Sequence, residues 1–340
     1  MIVEWPLFKS VAAYLRIAEW IDSKVPLLLG VFVYFVFLEG ASIASYPAEL
    51  TAFFIYISCF LGSNYIVNDL SDIEADKIAG KQKIIAELPK SIVWLSIVLL
   101  LAIGNIPILL LAQSRAACLA VIAMTYVLGF SYSAPGIRFK ERGAAGLVEC
   151  ALAQRCMPIC VIPLMIEVQT WAFALVLFIS FLDGTRYILL HQLQDRVNDL
   201  RSGIATYATS KAGNIRFLIK ICIVLEIIGC CAASVPIAFA SPAVVVIGVF
   251  LQLFVEYCSY KVLVSYAGKD YITIFDSVPL DFFYNLVFPL MSLFAMPISG
   301  TSIAIALFFI LLSSRNILVK VGFARIVMTP KRGKSEVRHD

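Results

Sequence analysis

Long apolar runs alternate with short polar connections along this chain, and the runs set its architecture. Stretches of about twenty apolar residues are long enough to cross a bilayer as helices. They fall at 25–44, 47–69, 91–112, 116–134, 144–166, 170–194, 215–237, 242–264, 280–298 and 301–321. The last pair also reads as one crossing plus a re-entrant piece, so the pattern predicts an all-α, polytopic transmembrane bundle of nine or ten spans. Before the first run, the segment 1–24 sets Trp5, Leu7, Phe8, Val11, Leu15 and Trp20 around Lys9 and Arg16, the pattern of an amphipathic helix lying on a membrane surface. Glu4 comes early and no basic stretch precedes the apolar residues, unlike a signal peptide. One membrane domain over 25–322 and a polar tail over 323–340 complete the expected organisation.

Composition excludes the alternatives to a membrane protein. Hydrophobic residues make up 61% and charged residues 15%, with a mean hydropathy of +0.91. A soluble domain is nearer half apolar and a quarter charged, so this chain cannot cover itself with polar surface in water. The nine cysteines are scattered through apolar runs with no CxxC pair, an odd number that does not suit a disulfide framework. With only His191 and His339, a histidine-rich zinc or haem site is excluded as well. The net charge of +4 reflects loop placement rather than a nucleic-acid surface. With the N-terminus inside, 24 of the 27 Lys and Arg residues fall on or near one side of the membrane, leaving Arg115 outside and Arg155 and Arg186 within runs. The positive-inside rule then predicts both termini in the cytoplasm and favours an even number of crossings.

Acidic residues concentrate at the inner ends of two runs. The second run ends in Asn68-Asp69-Leu70-Ser71-Asp72-Ile73-Glu74-Ala75-Asp76, where Asp69, Asp72 and Asp76 share one face if the helix continues. The sixth run ends with His191, Asp195 and Asp199 four apart, and Tyr187 and Asp183 extend the same stripe toward its start. Aligned carboxylates repel, and at membrane depth the cost rises, so a cation is the natural partner. Mg²⁺ takes oxygen ligands, keeps several waters and typically combines one or two carboxylates with substrate phosphate oxygens. Two acidic helix ends facing each other can therefore hold Mg²⁺ ions with a diphosphate between them. A basic counterpart follows the fourth run in Tyr132-Ser133-Ala134-Pro135-Gly136-Ile137-Arg138-Phe139-Lys140: Pro135-Gly136 forms a turn, and Arg138 and Lys140 can grip phosphate oxygens or simply anchor the loop. Lys77, Lys81 and Lys83 carry the same ambiguity.

These residues resemble the UbiA family of intramembrane prenyltransferases. Asn68-Asp69-x-x-Asp72-x-x-x-Asp76 matches that family's first aspartate-rich motif, NDxxDxxxD. Asp195-x-x-x-Asp199-x-x-x-Gly203 matches its second, and 132–140 is similar to its YSxPPxRxK tract, with Gly136 in place of the second proline. The likeness covers roughly 10–320, with motif order, spacing and placement in agreement. The resemblance implies a helical bundle around a central cavity open to lipid, in which Asn68, Asp69, Asp72, Asp76, Asp195 and Asp199 bind two Mg²⁺ ions that hold an isoprenyl diphosphate. It implies transfer of the prenyl group to a lipophilic or aromatic acceptor, with the tail along the apolar cavity. Tyr132, Arg138, Lys140 and Lys77 are then candidate diphosphate contacts, and Tyr65, Tyr187 or Phe60 candidate aromatic faces for an allylic cation.

The acceptor is the least legible part. Glu149, Arg155, Asp183, Arg186, Glu226 and Glu256 are charges within runs, and such charges usually face a cavity and pair with each other. Asp183 and Arg186 can neutralise one another, or Arg155 or Arg186 can orient a polar acceptor. His191, one turn from Asp195, is a partner of that carboxylate or a base for the acceptor proton. Two alternatives remain open at this level. One is a membrane terpene cyclase of the same family, which needs no acceptor. The other is a cation-coupled transporter, which predicts helices broken at the midplane and internal symmetry.

Overall fold

The structure, a computed structural model, describes residues 6–78, 80, 83–201, 205–210, 212–266 and 278–320. Trp5, Lys81, Gly203 and the tail 323–340 lie outside these residues, as do the side chains of Leu7, Phe8 and Glu256. Every regular element among the described residues is helical. Leaving aside shorter helical turns, the α-helices in chain order begin with α1 (Pro6–Tyr14), α2 (Val25–Leu38), α3 (Pro47–Ser71), α4 (Ile73–Ile78), α5 (Lys90–Leu111), α6 (Arg115–Ser131) and α7 (Ala144–Ala151). There follow α8 (Thr170–Arg201), α9 (Ala212–Ala240), α10 (Pro242–Tyr266), α11 (Val278–Phe282), α12 (Phe288–Phe294) and α13 (Gly300–Lys320). Five helices are long and apolar enough to cross a membrane: Pro47–Ser71, Lys90–Leu111, Ala144–Leu164, Thr170–Arg196 and Asn214–Ala240. Shorter apolar helices at Val25–Leu38, Arg115–Ser131, Pro242–Val255, Leu280–Phe294 and Gly300–Ser314 occupy the remaining apolar runs.

Local chemistry sets the boundaries. Pro47 and Pro242 stand at the first positions of α3 and α10, where a missing N–H costs nothing. The Ser114 hydroxyl accepts from the Ala117 N–H at 3.4 Å to start α6. Two π-helical turns, Leu152–Cys156 after α7 and Phe283–Val287 between α11 and α12, each precede a proline, Pro158 and Pro289. Proline cannot bond the carbonyl four residues back and crowds it, so the turn widens. The carbonyl that Pro289 leaves free, that of Asn285, accepts the Ser313 hydroxyl of α13 at 3.0 Å instead.

The helices close into a ring. α2 packs on α3, α3 on α5, α5 on α6, and α6 on the first π turn; α7 packs on α8, α8 on α9, α9 on α10, α10 on α12, and α12 back on α2. Apolar on all sides, α2 is buried along nearly its whole length, as a helix surrounded by others must be. By contrast α5 exposes Trp94, Leu95, Val98, Leu99, Ile103 and Leu110, and α9 and α10 expose Phe217, Ile228, Phe239, Ile247 and Phe250. An apolar belt of this extent requires lipid around it. Gly184 lets α8 approach α7 closely: a β-carbon there would stand 2.9 Å from the Ala151 Cα. The N-terminal segment departs from a wholly surface-lying helix. After α1 the chain turns through Arg16 at φ +50°, and Trp20 is buried in the bundle, its indole N–H donating to the Leu15 carbonyl at 2.9 Å.

Candidate active site

The first acidic motif is not one continuous helical face. α3 ends at Ser71, Asp72 sits in the junction, and α4 resumes at Ile73, held by the Asp76 N–H bonding the Asp72 carbonyl at 2.8 Å. The break separates the three carboxylates onto a helix end, a joint and a second short helix. Each of the first two is met by cations. Asp69 lies 3.0 Å from Arg16 and 3.1 Å from Lys83. Asp72 receives Lys140 at 2.5 and 2.6 Å, with Arg138 at 3.6 Å.

The basic tract reaches that position through its turn. Gly136 takes φ +83° and Arg138 φ +39°, a left-handed conformation that costs a non-glycine residue energy and is retained where the surroundings hold it. Here the Lys140 N–H bonds the Tyr132 carbonyl at 3.1 Å, and the Arg138 guanidinium is held by Glu141 at 2.6 Å. The Ser133 hydroxyl donates to the Asn68 side-chain oxygen at 2.7 Å, so the tract is docked on the first motif.

The second motif stays on the end of α8. His191 Nε2 is 3.4 Å from Asp195, and the Thr206 hydroxyl donates to Asp199 at 3.3 Å. Burial holds the Asp199 carboxyl above the usual carboxylate range, with the Thr206 hydrogen bond pulling it down and the Asp195 charge pushing it up. Tyr132 lies within electrostatic reach of both Asp72 and Asp199, and Lys140 of Asp199 as well as Asp72, so the basic tract stands between the two acidic ends.

One open cleft of about 860 Å³, its solvent-filled mouth included, lies beside the motifs: Asn68 of the first, Tyr132 and Ser133 of the basic tract, and His191, one turn before the second, line it, while the motif aspartates lie outside its lining. Tyr65, Tyr187, Lys24 and Gln154 line it further in. A second cavity of about 430 Å³ is almost wholly apolar, lined by Leu27, Val31, Val176, Phe283 and Phe288 with Asp183 at its edge. Among the described residues, no three Asp, Glu, His or Cys side chains converge on a single point.

Other expected site residues are placed elsewhere. Lys77 is exposed on α4. Arg186 does not reach the large cavity: it is fully buried, and its guanidinium is taken up by Asp183 at 2.8 Å, Glu226 at 2.8 Å and Asp281 at 3.1 Å. A buried cation is stable only with such partners, although the Arg186 Nη1 itself makes no hydrogen bond. Arg155, on the first π turn, pairs with Asp183 at 2.7 Å and stacks on the Tyr187 ring at 5.3 Å, behind the cavity wall. The aromatic faces are engaged too: Arg16 lies 4.8 Å and Lys24 5.0 Å from the Tyr65 ring centre, and Phe60 is packed in the core against Tyr126. Sequence reasoning passed over Arg16, Lys24 and Gln154; only their folding onto the cavity reveals them, although Lys24 abuts the first apolar run directly.

Fold and site together define a membrane-embedded helical bundle with a cavity beside two acidic helix ends and a basic turn. The sequence model of the UbiA prenyltransferase family matches residues 27–287, and the chain belongs to that family. No curated protein matches it. Among solved structures, a UbiA homolog from Archaeoglobus fulgidus bound to DMAPP and Mg²⁺ is 15% identical over 94% of this chain and 99% of its own, with a TM-score of 0.51. The same homolog bound to GPP and Mg²⁺ is 16% identical over 94% of this chain and 100% of its own, with a TM-score of 0.50. At this identity the likeness concerns the fold.

Proposed function

We propose that this protein is a Mg²⁺-dependent prenyltransferase that ionises an isoprenyl diphosphate at the cytoplasmic face and joins the prenyl group to a lipophilic or aromatic acceptor. The observation that carries this reading is a cavity lined by Asn68, Tyr132, Ser133 and His191, directly beside both acidic helix ends. The donors at its two acidic ends, Asp69, Asp72, Asp76, Asp195, Asp199 and the Asn68 amide oxygen, are all hard oxygen atoms, the set that suits Mg²⁺. When bound there, Mg²⁺ neutralises charge developing on the leaving diphosphate. The homolog structures holding Mg²⁺ with DMAPP or GPP support the assignment.

The chain's own residues have separable tasks. Lys140 and Arg138, now on Asp72, are placed to bind diphosphate oxygens, and Tyr132 and Ser133 line the wall beside them. The allylic C–O bond breaks with its electron pair leaving on the diphosphate, and an acceptor atom bonds the prenyl carbon and gives up a proton. His191, lining the cavity beside Asp195, is placed to receive that proton. The apolar part of the wall, Leu61, Ala153 and Ile188, limits water around the cation.

The test is incubation of the purified protein with Mg²⁺ and a panel of isoprenyl diphosphates, with and without a membrane lipid extract, followed by mass spectrometry. A prenylated adduct that requires extract and disappears with chelator is the expected result. A hydrocarbon or terpene alcohol formed without extract identifies a cyclase instead. Absence of pyrophosphate release under every condition overturns the enzymatic reading and leaves the transporter.

A further inference from the structure

Arg16 reaches the first acidic motif from outside it, out of a strained turn. It stands at φ +50° and ψ +39°, a left-handed conformation that costs a non-glycine residue energy and persists where its surroundings fix it. Both flanks are fixed. The Tyr14 hydroxyl lies 2.6 Å from that of Ser96 on α5. Leu15 packs against the cluster of Ile66, Val93 and Ile97, and the buried Trp20 donates to the Leu15 carbonyl. The turn therefore holds the Arg16 side chain along the cleft, where its guanidinium covers the Tyr65 ring at 4.8 Å.

That guanidinium serves two carboxylates unequally. Its Nε and Nη2 grip both oxygens of Glu19, at 2.6 and 2.5 Å, and its Nη1 donates to Asp69 Oδ1 at 3.0 Å. Lys83, just before the turn Ile84–Glu87, donates to the same Asp69 oxygen at 3.1 Å. Asp69 is thereby covered more closely than Asp72: 7% of its side chain is exposed, against 19%. A Mg²⁺ ion approaching Asp69 meets two like charges already seated on that carboxylate, and they repel it.

Glu19, which lines the same cleft, decides what Arg16 can do there. A guanidinium neutralised by a bidentate carboxylate is a poor clamp for a diphosphate, because Glu19 repels the same anion. It is well suited to letting go of Asp69, since one bond breaks while the paired bonds to Glu19 keep the charge compensated. On the proposed Mg²⁺-dependent reading, we infer that Arg16 is a latch on Asp69, an autoinhibitory contact that holds the metal off the first motif until Mg²⁺ displaces it, with Glu19 the seat to which it withdraws. Lys83 is a second cover that acts without Glu19.

The experiment titrates the full-length protein in detergent with Mn²⁺ as the probe, without diphosphate, and follows the electron paramagnetic resonance signal of the free ion. Arg16→Gln is expected to tighten Mn²⁺ binding at least about fivefold, and Glu19→Gln to weaken it about threefold, because Arg16 then has only Asp69 to hold. Combined variants separate a latch from a general effect of charge. Arg16→Gln together with Glu19→Gln should match Arg16→Gln alone within about twofold, whereas Glu19→Gln added to Lys83→Gln should still weaken binding about threefold. Additive effects in both backgrounds overturn the inference. So does weaker Mn²⁺ binding in Arg16→Gln, which makes Arg16 a support that orients Asp69. A separate arm titrates geranyl diphosphate at saturating Mg²⁺, and a loss of more than about fivefold in Arg16→Gln also overturns the latch, assigning Arg16 to the diphosphate. Should Arg16→Gln fail to fold, Glu19→Gln alone decides: weaker Mn²⁺ binding sustains the latch, and unchanged or tighter binding overturns it. If no variant binds Mn²⁺, the Mg²⁺-dependent reading falls and takes the latch with it, whereas Mn²⁺ binding indifferent to Arg16 removes the latch alone.

Discussion

Two clusters of charge occupy this bundle, and they differ in how far they are sealed from solvent. At the helix ends, Asp72, Arg138, Lys140, His191 and Asp195 remain partly exposed, and His191, the partner of Asp195, lines the cavity. In the bundle interior, Arg155, Asp183, Arg186, Glu226 and Tyr284 are sealed from solvent and bonded to one another: Arg186 to three carboxylates, and the Tyr284 hydroxyl to Glu226 at 3.1 Å. The residue types are the same. Charges at the exposed helix ends can exchange partners with a ligand, whereas charges sealed against one another tie helices together. The interior cluster joins α8, α9, α11 and the two π turns, the places where the backbone departs most from a regular helix.

The contrast can be broken at either end. The largest effect is expected at the helix ends: Asp72→Asn or Asp195→Asn should lower turnover by at least about a thousandfold while the protein keeps its elution profile and thermal transition. Near-wild-type pyrophosphate release from either variant would remove the acidic ends from the chemistry. Next comes the interior. Arg186→Met strands Asp183, Glu226 and Asp281 without a cation, and breaking a buried pair costs about 3–5 kcal/mol. A large fall in the detergent unfolding temperature is the expected outcome, whether or not substrate is present. A stable Arg186→Met protein with only its acceptor KM altered would move Arg186 into the substrate site. The smallest effect is expected for Arg138→Ala, because Lys140 remains on Asp72: the diphosphate KM should rise by about tenfold with little change in stability. An unchanged KM and kcat would reduce Arg138 to a loop anchor.

Much of the architecture was legible along the chain. Each apolar run became a helix because a backbone surrounded by lipid must satisfy its own hydrogen bonds, and proline and serine at the run starts mark the boundaries. Some boundaries moved. The first run, 25–44, yields a helix only to Leu38, where the chain turns through Gly40 at φ +67°. The last turn of α8 extends past the apolar residues to Arg201 because its polar end is tied down by neighbours, as in the bond from the Ala208 N–H to the Gln192 side chain. The face shared by Asp69, Asp72 and Asp76 rested on an unbroken helix, and the break at Asp72 lies in a short polar stretch where periodicity is too brief to decide. The Asp183–Arg186 pairing was readable at i,i+3, but Glu226 and Asp281 come from elements 40 and 95 residues further along the chain.

The sequence by itself determined the helical class, the apolar runs and the three motifs at the run ends. These are local properties, set by hydropathy over twenty residues and by spacing within a turn or two. Only the tertiary structure decided which charges meet. It closed the ring so that Asn68, Tyr132 and His191 line one cavity, consumed Arg186 in a sealed network, and turned Lys24 inward without a carboxylate. A charge acquires its role from what surrounds it, and in a helical bundle those surroundings come from residues far apart in the chain.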